Sequence, residues 1–262
     1  MAAKVYWGLN SINSGDDHPG NPTLILIGDS WFWYPFNNLA HELASQLSFN
    51  HVLLVLGNNG AEAQEWSTKY RKQIDLAFKW YAEGAQGLLL SGGGNDVAGP
   101  EDFDPLIEDN CSGKRTVESC YSPLQPGSLL GKIRGSYEDV IAKFRKYNGT
   151  APVFTHNYEK AWPTGDGLFG PAKWLKVPME RARVPEKLRH PLFVDLIAQL
   201  RNAQLDIAKA TQGPGKFIPI ETAGTLPDDE DVWANELHLK PAAFKKMVKA
   251  AWIPVLKQEG IA

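Results

Sequence analysis

Three short apolar runs, Leu24-Ile-Leu-Ile27, Val52-Leu-Leu-Val-Leu56 and Gly87-Leu-Leu-Leu90, each stop at a turn built of glycine, asparagine or serine. A run that is apolar at every position, rather than at every second one, suits a strand covered on both faces, as in a parallel sheet. Between the runs the apolar spacing becomes helical. Leu39, Leu43 and Leu47 recur every four residues within 38–48, and Trp66, Tyr70, Ile74, Phe78 and Tyr81 form a stripe within 62–83. The same reasoning predicts helices over 129–146, over 191–211 and over 241–256, the last with proline at its first turn. Two further strands are predicted at Pro152–Thr155 and Phe217–Ile220. Strands alternating with helices at this spacing imply a doubly wound parallel sheet inside a three-layer α/β/α architecture.

The 262 residues show no repeat and no convincing linker, so a single domain over 1–262 is expected. Two stretches break the alternation and are expected to be inserted loops. One, about 98–128, carries both cysteines; the other, about 158–190, carries Trp162, Trp174 and several glycines. Both leave strand C-terminal ends, where open α/β sheets bind ligands. A net charge of -3 gives no field that would recruit nucleic acid. No apolar stretch approaches the roughly 20 residues of a membrane span. The start lacks the pattern of a signal peptide, which makes a cytoplasmic location the expectation. Cys111 and Cys120 lie in a polar stretch and read as reduced thiols of a surface loop, with a loop-clamping disulfide as the alternative. Neither has the companions that zinc requires, and no metal or organic cofactor is expected.

The residues able to do chemistry stand at the strand ends. Ser30 follows the first run in Gly28-Asp29-Ser30-Trp31; Gly60 ends Asn58-Asn59-Gly60; Asn95 follows Gly92-Gly93-Gly94; His238 closes Asn235-Glu236-Leu237-His238. A serine hydroxyl becomes a nucleophile when a nearby base removes its proton, and histidine titrates in the right range. Glycine N–H groups and an asparagine amide can serve as donors to an oxyanion. The glycine run also invites a phosphate-loop reading, but it lacks the Gly-Lys-Ser/Thr ending.

Together and in this order the four blocks, spread over roughly 23–245, resemble the SGNH (GDSL-type) hydrolase superfamily. The resemblance implies a flavodoxin-like five-stranded parallel sheet and a serine esterase. Ser30 would be the nucleophile and His238 the general base, with the Ser30 and Gly60 N–H groups and the Asn95 side chain as oxyanion hole. The substrate would be a small-molecule, carbohydrate or lipid ester, with a carboxylic or acetyl acyl group. The chain departs from the family at Asn235, where Asp-x-x-His is usual, and at Leu239, where proline often follows the histidine. Several orienters of His238 are open: the Asn235 amide oxygen, a backbone carbonyl such as that of Trp233, or Asp231. Loss of catalysis with retention of the ligand cleft, giving a binding protein, is the alternative, and an engineered Asp-to-Asn change is compatible with the sequence. Glu236 and the run Asp228–Asp231 read as solvated charges. Trp31, Trp33, Trp162, Trp174 and His156 are candidate substrate contacts, each weighed against simple packing. His18, His41, His51 and His190 have no partner pattern and receive no role.

Overall fold

A computed structural model describes residues 2–12, 20–123, 126–167 and 170–262; His18 lies outside them. Six strands form one wholly parallel sheet: β1 (Lys4–Trp7), β2 (Leu24–Gly28), β3 (Val52–Gly57), β4 (Gly87–Ser91), β5 (Val153–His156) and β6 (Phe217–Ile220), in the order β1-β3-β2-β4-β5-β6. The helices are α1 (Ser30–Trp33), α2 (Leu39–Gln46), α3 (Arg71–Ala77), α4 (Pro100–Phe103), α5 (Gly127–Arg145), α6 (Lys176–Arg181), α7 (Glu186–Ala210), α8 (Pro241–Met247) and α9 (Ile253–Gln258). One layer holds α2 and the α8–α9 segment; the other holds α3, α5 and α7. Every residue of β2 and β4 is buried, as their unbroken apolarity requires.

The expected five strands are therefore joined by a sixth. Among the described residues β1 pairs with β3 alone, Lys4 opposite Val52 through Trp7 opposite Val55. As an edge strand it is mostly half-buried and begins with a lysine, so it lacks the apolar run that marks the others. The helical stripe over 62–83 is also corrected. It divides into a 3₁₀ turn at Ala63–Ser67, then α3, then a π turn at Phe78–Ala82. The first turn is held by a reciprocal Glu62–Glu65 capping box and by the Asp96 carboxylate, which accepts the Ala63 and Gln64 N–H groups. Helix α7 begins at Glu186, before Pro191, so that proline lies inside the helix rather than at its start.

Cys111 and Cys120 are free thiols, but buried rather than at the surface. A bridge between Ile107 and Tyr121 and the Cys111 N–H bond to the Ala182 carbonyl (2.7 Å) fold their loop over them. Burial pushes the Cys111 thiol up to about 12. No helix among the described residues is long and apolar enough to cross a membrane.

β3 and β4 lie on opposite sides of β2. The direction of winding thus reverses beside the C-terminal end of β2, and a crevice opens there. Close approach of backbones fixes its floor. Gly57 has φ +108°, and a Cβ on it would sit 2.0 Å from the Gly28 carbonyl oxygen. Only glycine fits that position.

Candidate active site

Ser30 is the first residue of α1, directly after β2, and is 7% exposed. Asp29 caps this turn: its Oδ1 accepts the Trp31 N–H at 2.9 Å and the Ser91 hydroxyl at 2.8 Å, and its Oδ2 accepts the Tyr158 hydroxyl at 2.5 Å. Burial pushes the Asp29 carboxyl up to about 6, while the bonds from Tyr158, Ser91 and Trp31 pull the other way. His156 lies beyond Ser91. Its Nδ1 accepts the Tyr158 N–H (3.1 Å), so Nε2 carries the proton and donates it to the Ser91 oxygen (2.9 Å). Full burial lowers its pKa to about 3 and keeps it neutral.

The loops after β3 and β4 are tied together. Asp96 accepts N–H bonds from Ala63 (2.8 Å) and Gly93 (3.1 Å), while Asn95 Nδ2 donates to the Ala61 carbonyl (3.1 Å). Gly94 faces the Tyr158 ring so closely that a Cβ would lie 2.8 Å from it. Gly60 is exposed at the turn after β3, with φ +74°.

His238 arrives from the C-terminal side, 5% exposed. Its Nδ1 lies 3.0 Å from Asn235 Oδ1. The same oxygen accepts the backbone N–H groups of Leu237 (3.0 Å) and His238 (2.9 Å), and Asn235 Nδ2 donates to the Tyr34 hydroxyl at 3.1 Å. Two backbone donors on one amide atom require that atom to be oxygen. An oxygen there can only accept, so Nδ1 is the protonated nitrogen and Nε2 keeps its lone pair. The Tyr34 ring, on the residue that closes α1, stacks on His238 with centroids 3.9 Å apart and planes 8° apart. The Trp31 indole N–H bonds the Leu237 carbonyl (3.0 Å). These two contacts clamp the Ser30 turn against the His238 block. Burial lowers the His238 pKa to about 4.

His238 Nε2 is buried and makes no hydrogen bond with any described group, Ser30 Oγ included. The Ser–His bond expected from the sequence is thus not made. In enzymes without substrate such bonds are often long and tighten on binding.

Two cavities open here. A small one, about 20 Å³, is lined by Ser30, Trp31, Asn95, Tyr158, Phe193 and Trp233, among others. A larger one, about 490 Å³, is bounded by Trp162, Trp233, Asn235, Lys176 and the start of α7. Of the aromatic candidates, Trp31 and Trp162 reach these cavities, and Trp174 stands edge-on to His238 at 6.4 Å. Trp33 reaches neither: it meets the Trp7 ring and donates to the Leu56 carbonyl. His156 is wholly buried and lies behind the site rather than on its wall. Asp231 lines the larger cavity; the atom that His238 Nδ1 engages is Asn235 Oδ1.

Glu236 is corrected most sharply. It is fully buried, and its carboxylate accepts the N–H groups of Gly165 (3.1 Å), Leu175 (3.0 Å) and Lys176 (2.7 Å). It pins the 158–190 segment to the block that carries His238. Ser91, Tyr158 and Phe193 escaped the sequence reading, because a single chain shows no spacing that links them to Ser30 or His238; Tyr34 and Glu236 stand beside Ser30 and His238 in sequence, but the stacking of one and the three N–H partners of the other arise only in the fold. Among the described residues no cluster of side chains is arranged to hold a metal.

No protein-family model and no curated protein matches the chain. Solved structures do. A lipase from a goat rumen metagenome aligns over 92% of this chain and 99% of its own, at 13% identity and TM-score 0.57. A protein from Parabacteroides merdae described as a GDSL-like lipase aligns over 92% and 98%, at 12% identity and TM-score 0.53. An acetyl esterase mutant solved with acetate ion aligns over 91% and 98%, at 12% identity and TM-score 0.50. At these identities the likeness is one of fold: the chain has the three-layer α/β/α SGNH hydrolase fold, with six strands in the sheet among the described residues.

Proposed function

We propose that the chain is a serine esterase that works through an acyl-enzyme on Ser30. The observation that carries this reading is the bond between His238 Nδ1–H and Asn235 Oδ1 at 3.0 Å, with the amide held in one orientation by two backbone donors. It does for the imidazole what a triad aspartate does for tautomer and direction, without the charge.

Ser30 Oγ attacks the ester carbonyl carbon while its proton passes to His238 Nε2. The carbonyl oxygen takes the electron pair and is met by the Ser30 and Gly60 N–H groups and the Asn95 amide, each such donor being worth about 2.7–4 kcal/mol. Collapse breaks the bond to the alcohol oxygen, which receives the proton from His238. Water, deprotonated by the same nitrogen, then attacks the acyl-enzyme, releasing the acid and restoring Ser30. The fold shared with lipases and an acetyl esterase supports the assignment.

Hydrolysis of p-nitrophenyl acetate tests it. Turnover is expected from the purified chain and is expected to vanish in Ser30→Ala. If the parent chain gives no turnover, the proposal fails and the fold serves a binding protein instead.

A further inference from the structure

We infer that Tyr34 is a positioning residue of this site: its ring face holds the His238 imidazole and stabilises the cation it becomes, where a triad carboxylate would otherwise act. The inference rests on the esterase reading above and deepens it by one residue.

Tyr34 is 7% exposed and touches Ser30, His238 and Asn235, each through a different group. Its N–H donates to the Ser30 carbonyl at 2.6 Å and closes the α1 turn. Its ring lies on the His238 ring, with centroids 3.9 Å apart and planes 8° apart. Its hydroxyl accepts from Asn235 Nδ2 at 3.1 Å, a third anchor on the amide besides the two backbone donors. Tyr34 is itself fixed, since the buried Asn38 side chain donates to its carbonyl at 2.8 Å and Phe36 meets its ring edge-on. With its N–H and C=O both engaged, the ring has little freedom to leave the stack.

When the Ser30 proton reaches Nε2, the imidazole becomes a cation inside a buried site. Asn235 offers that cation an amide oxygen and no charge. The charged side chains around it are engaged with other groups. Asp29 accepts from Trp31, Ser91 and Tyr158, and Glu236 accepts from Gly165, Leu175 and Lys176. The Lys176 ammonium donates to the Thr164 carbonyl, while Asp231 and Lys240 line the larger cavity. Burial is the one cause of the lowered His238 pKa. Trp174, 6.4 Å away and nearly perpendicular, does not stack. Among the described residues the group left to meet the cation is the Tyr34 ring face. A cation within about 6 Å of a ring centroid is attracted by the quadrupole of the ring, more strongly when both are desolvated. The stack is therefore worth more in the transition state than against the resting, neutral imidazole.

The test has two arms. In the first, kcat and KM for p-nitrophenyl acetate are compared in the parent, Tyr34→Phe and Tyr34→Leu. Tyr34→Leu is expected to lose about tenfold or more in kcat with KM within about twofold, and Tyr34→Phe to stay within about threefold of the parent. Equal kcat in all three, or a rise in KM at unchanged kcat, overturns the assignment. Absence of turnover in the parent refutes the esterase reading, and the second arm, which needs no turnover, then decides the role of Tyr34. There the His238 imidazole is titrated by NMR in Asn235→Asp chains, whose added carboxylate raises the titration to a convenient pH. Position 34 carries phenylalanine, leucine or a polyfluorinated phenylalanine. All three lack the hydroxyl, so their differences isolate the ring, and the fluorinated ring keeps its shape while losing its negative face. Leucine and the fluorinated ring are each expected to titrate about one pH unit below phenylalanine, a tenfold change in proton affinity. A folding defect in Tyr34→Leu leaves the comparison of the two rings standing. The same pKa with both rings overturns the inference.

Discussion

Replacing Asn235 by aspartate restores a charge at the one place where this site lacks it. The Asn235 amide oxygen is 3.0 Å from His238 Nδ1, and the two backbone donors on it would serve a carboxylate equally well. The Tyr34 hydroxyl, which now accepts from Asn235 Nδ2, can turn and donate instead. Each hydrogen bond of the residue 235 side chain keeps a partner, so the change is one of charge alone. A carboxylate about 4 Å from the imidazolium charge, at an effective dielectric of about 20, contributes about 4 kcal/mol. That is about three pKa units, which would carry His238 from about 4 to about 7. The same term stabilises the imidazolium formed in the transition state. About 4 kcal/mol of it would allow up to about 10³ in rate.

The assay is kcat/KM for p-nitrophenyl acetate between pH 4.5 and 8.5. The base must be neutral to accept the serine proton, so rate is lost as pH falls through its pKa. The parent chain should hold its rate from pH 8 to about 5, because its histidine titrates near 4. Asn235→Asp should be 10²–10³ times faster at pH 8 and decline below about pH 7. A variant slower than its parent, or one whose acid limb does not move, would refute this assignment of Asn235 as orienter.

Two other outcomes follow from buried groups. His156 has a folded pKa near 3 against 6.5 in solution, so its neutral form contributes stability above pH 6.5 that is lost as pH falls towards 3. Between pH 7 and pH 5 the parent should lose about 2 kcal/mol more than His156→Gln in urea unfolding, and equal losses would contradict a neutral buried imidazole. Glu236→Ala strips three backbone N–H groups of their acceptor. A loss of about 3 kcal/mol or more, with new proteolytic cleavage confined to 158–190, is expected; unchanged cleavage would show that Glu236 does not pin that segment.

The interior of the sheet was legible in the chain because burial on two faces leaves no polar residue in β2 or β3, and none in β4 before Ser91 at its end. The edge strand β1 was not, since its exposed side tolerates lysine. The order of Ser30, Gly60, Asn95 and His238 was likewise visible, each at the end of an element or in its own short block. What supports them was hidden. Glu236 looks like any charge beside a turn, and only the return of the 158–190 segment gives its oxygens three N–H partners. Tyr34 and Tyr158 act through stacking on His238 and bonding to Asp29, contacts that join residues 204 and 129 positions apart and leave no periodicity to read. The choice among orienters of His238 rests on two backbone N–H groups, which depend on how the Asn235–His238 turn closes.

Whether Ser30 is a nucleophile activated by His238 can be asked without knowing the substrate. The purified chain is treated with an alkyl fluorophosphonate at pH 8, and its intact mass is followed over time beside Ser30→Ala and His238→Ala. One adduct, mapped to the peptide carrying Ser30, absent from Ser30→Ala and at least 10²-fold slower in His238→Ala, is the expected result. An unlabelled parent chain, or labelling that proceeds equally well without His238, would contradict it.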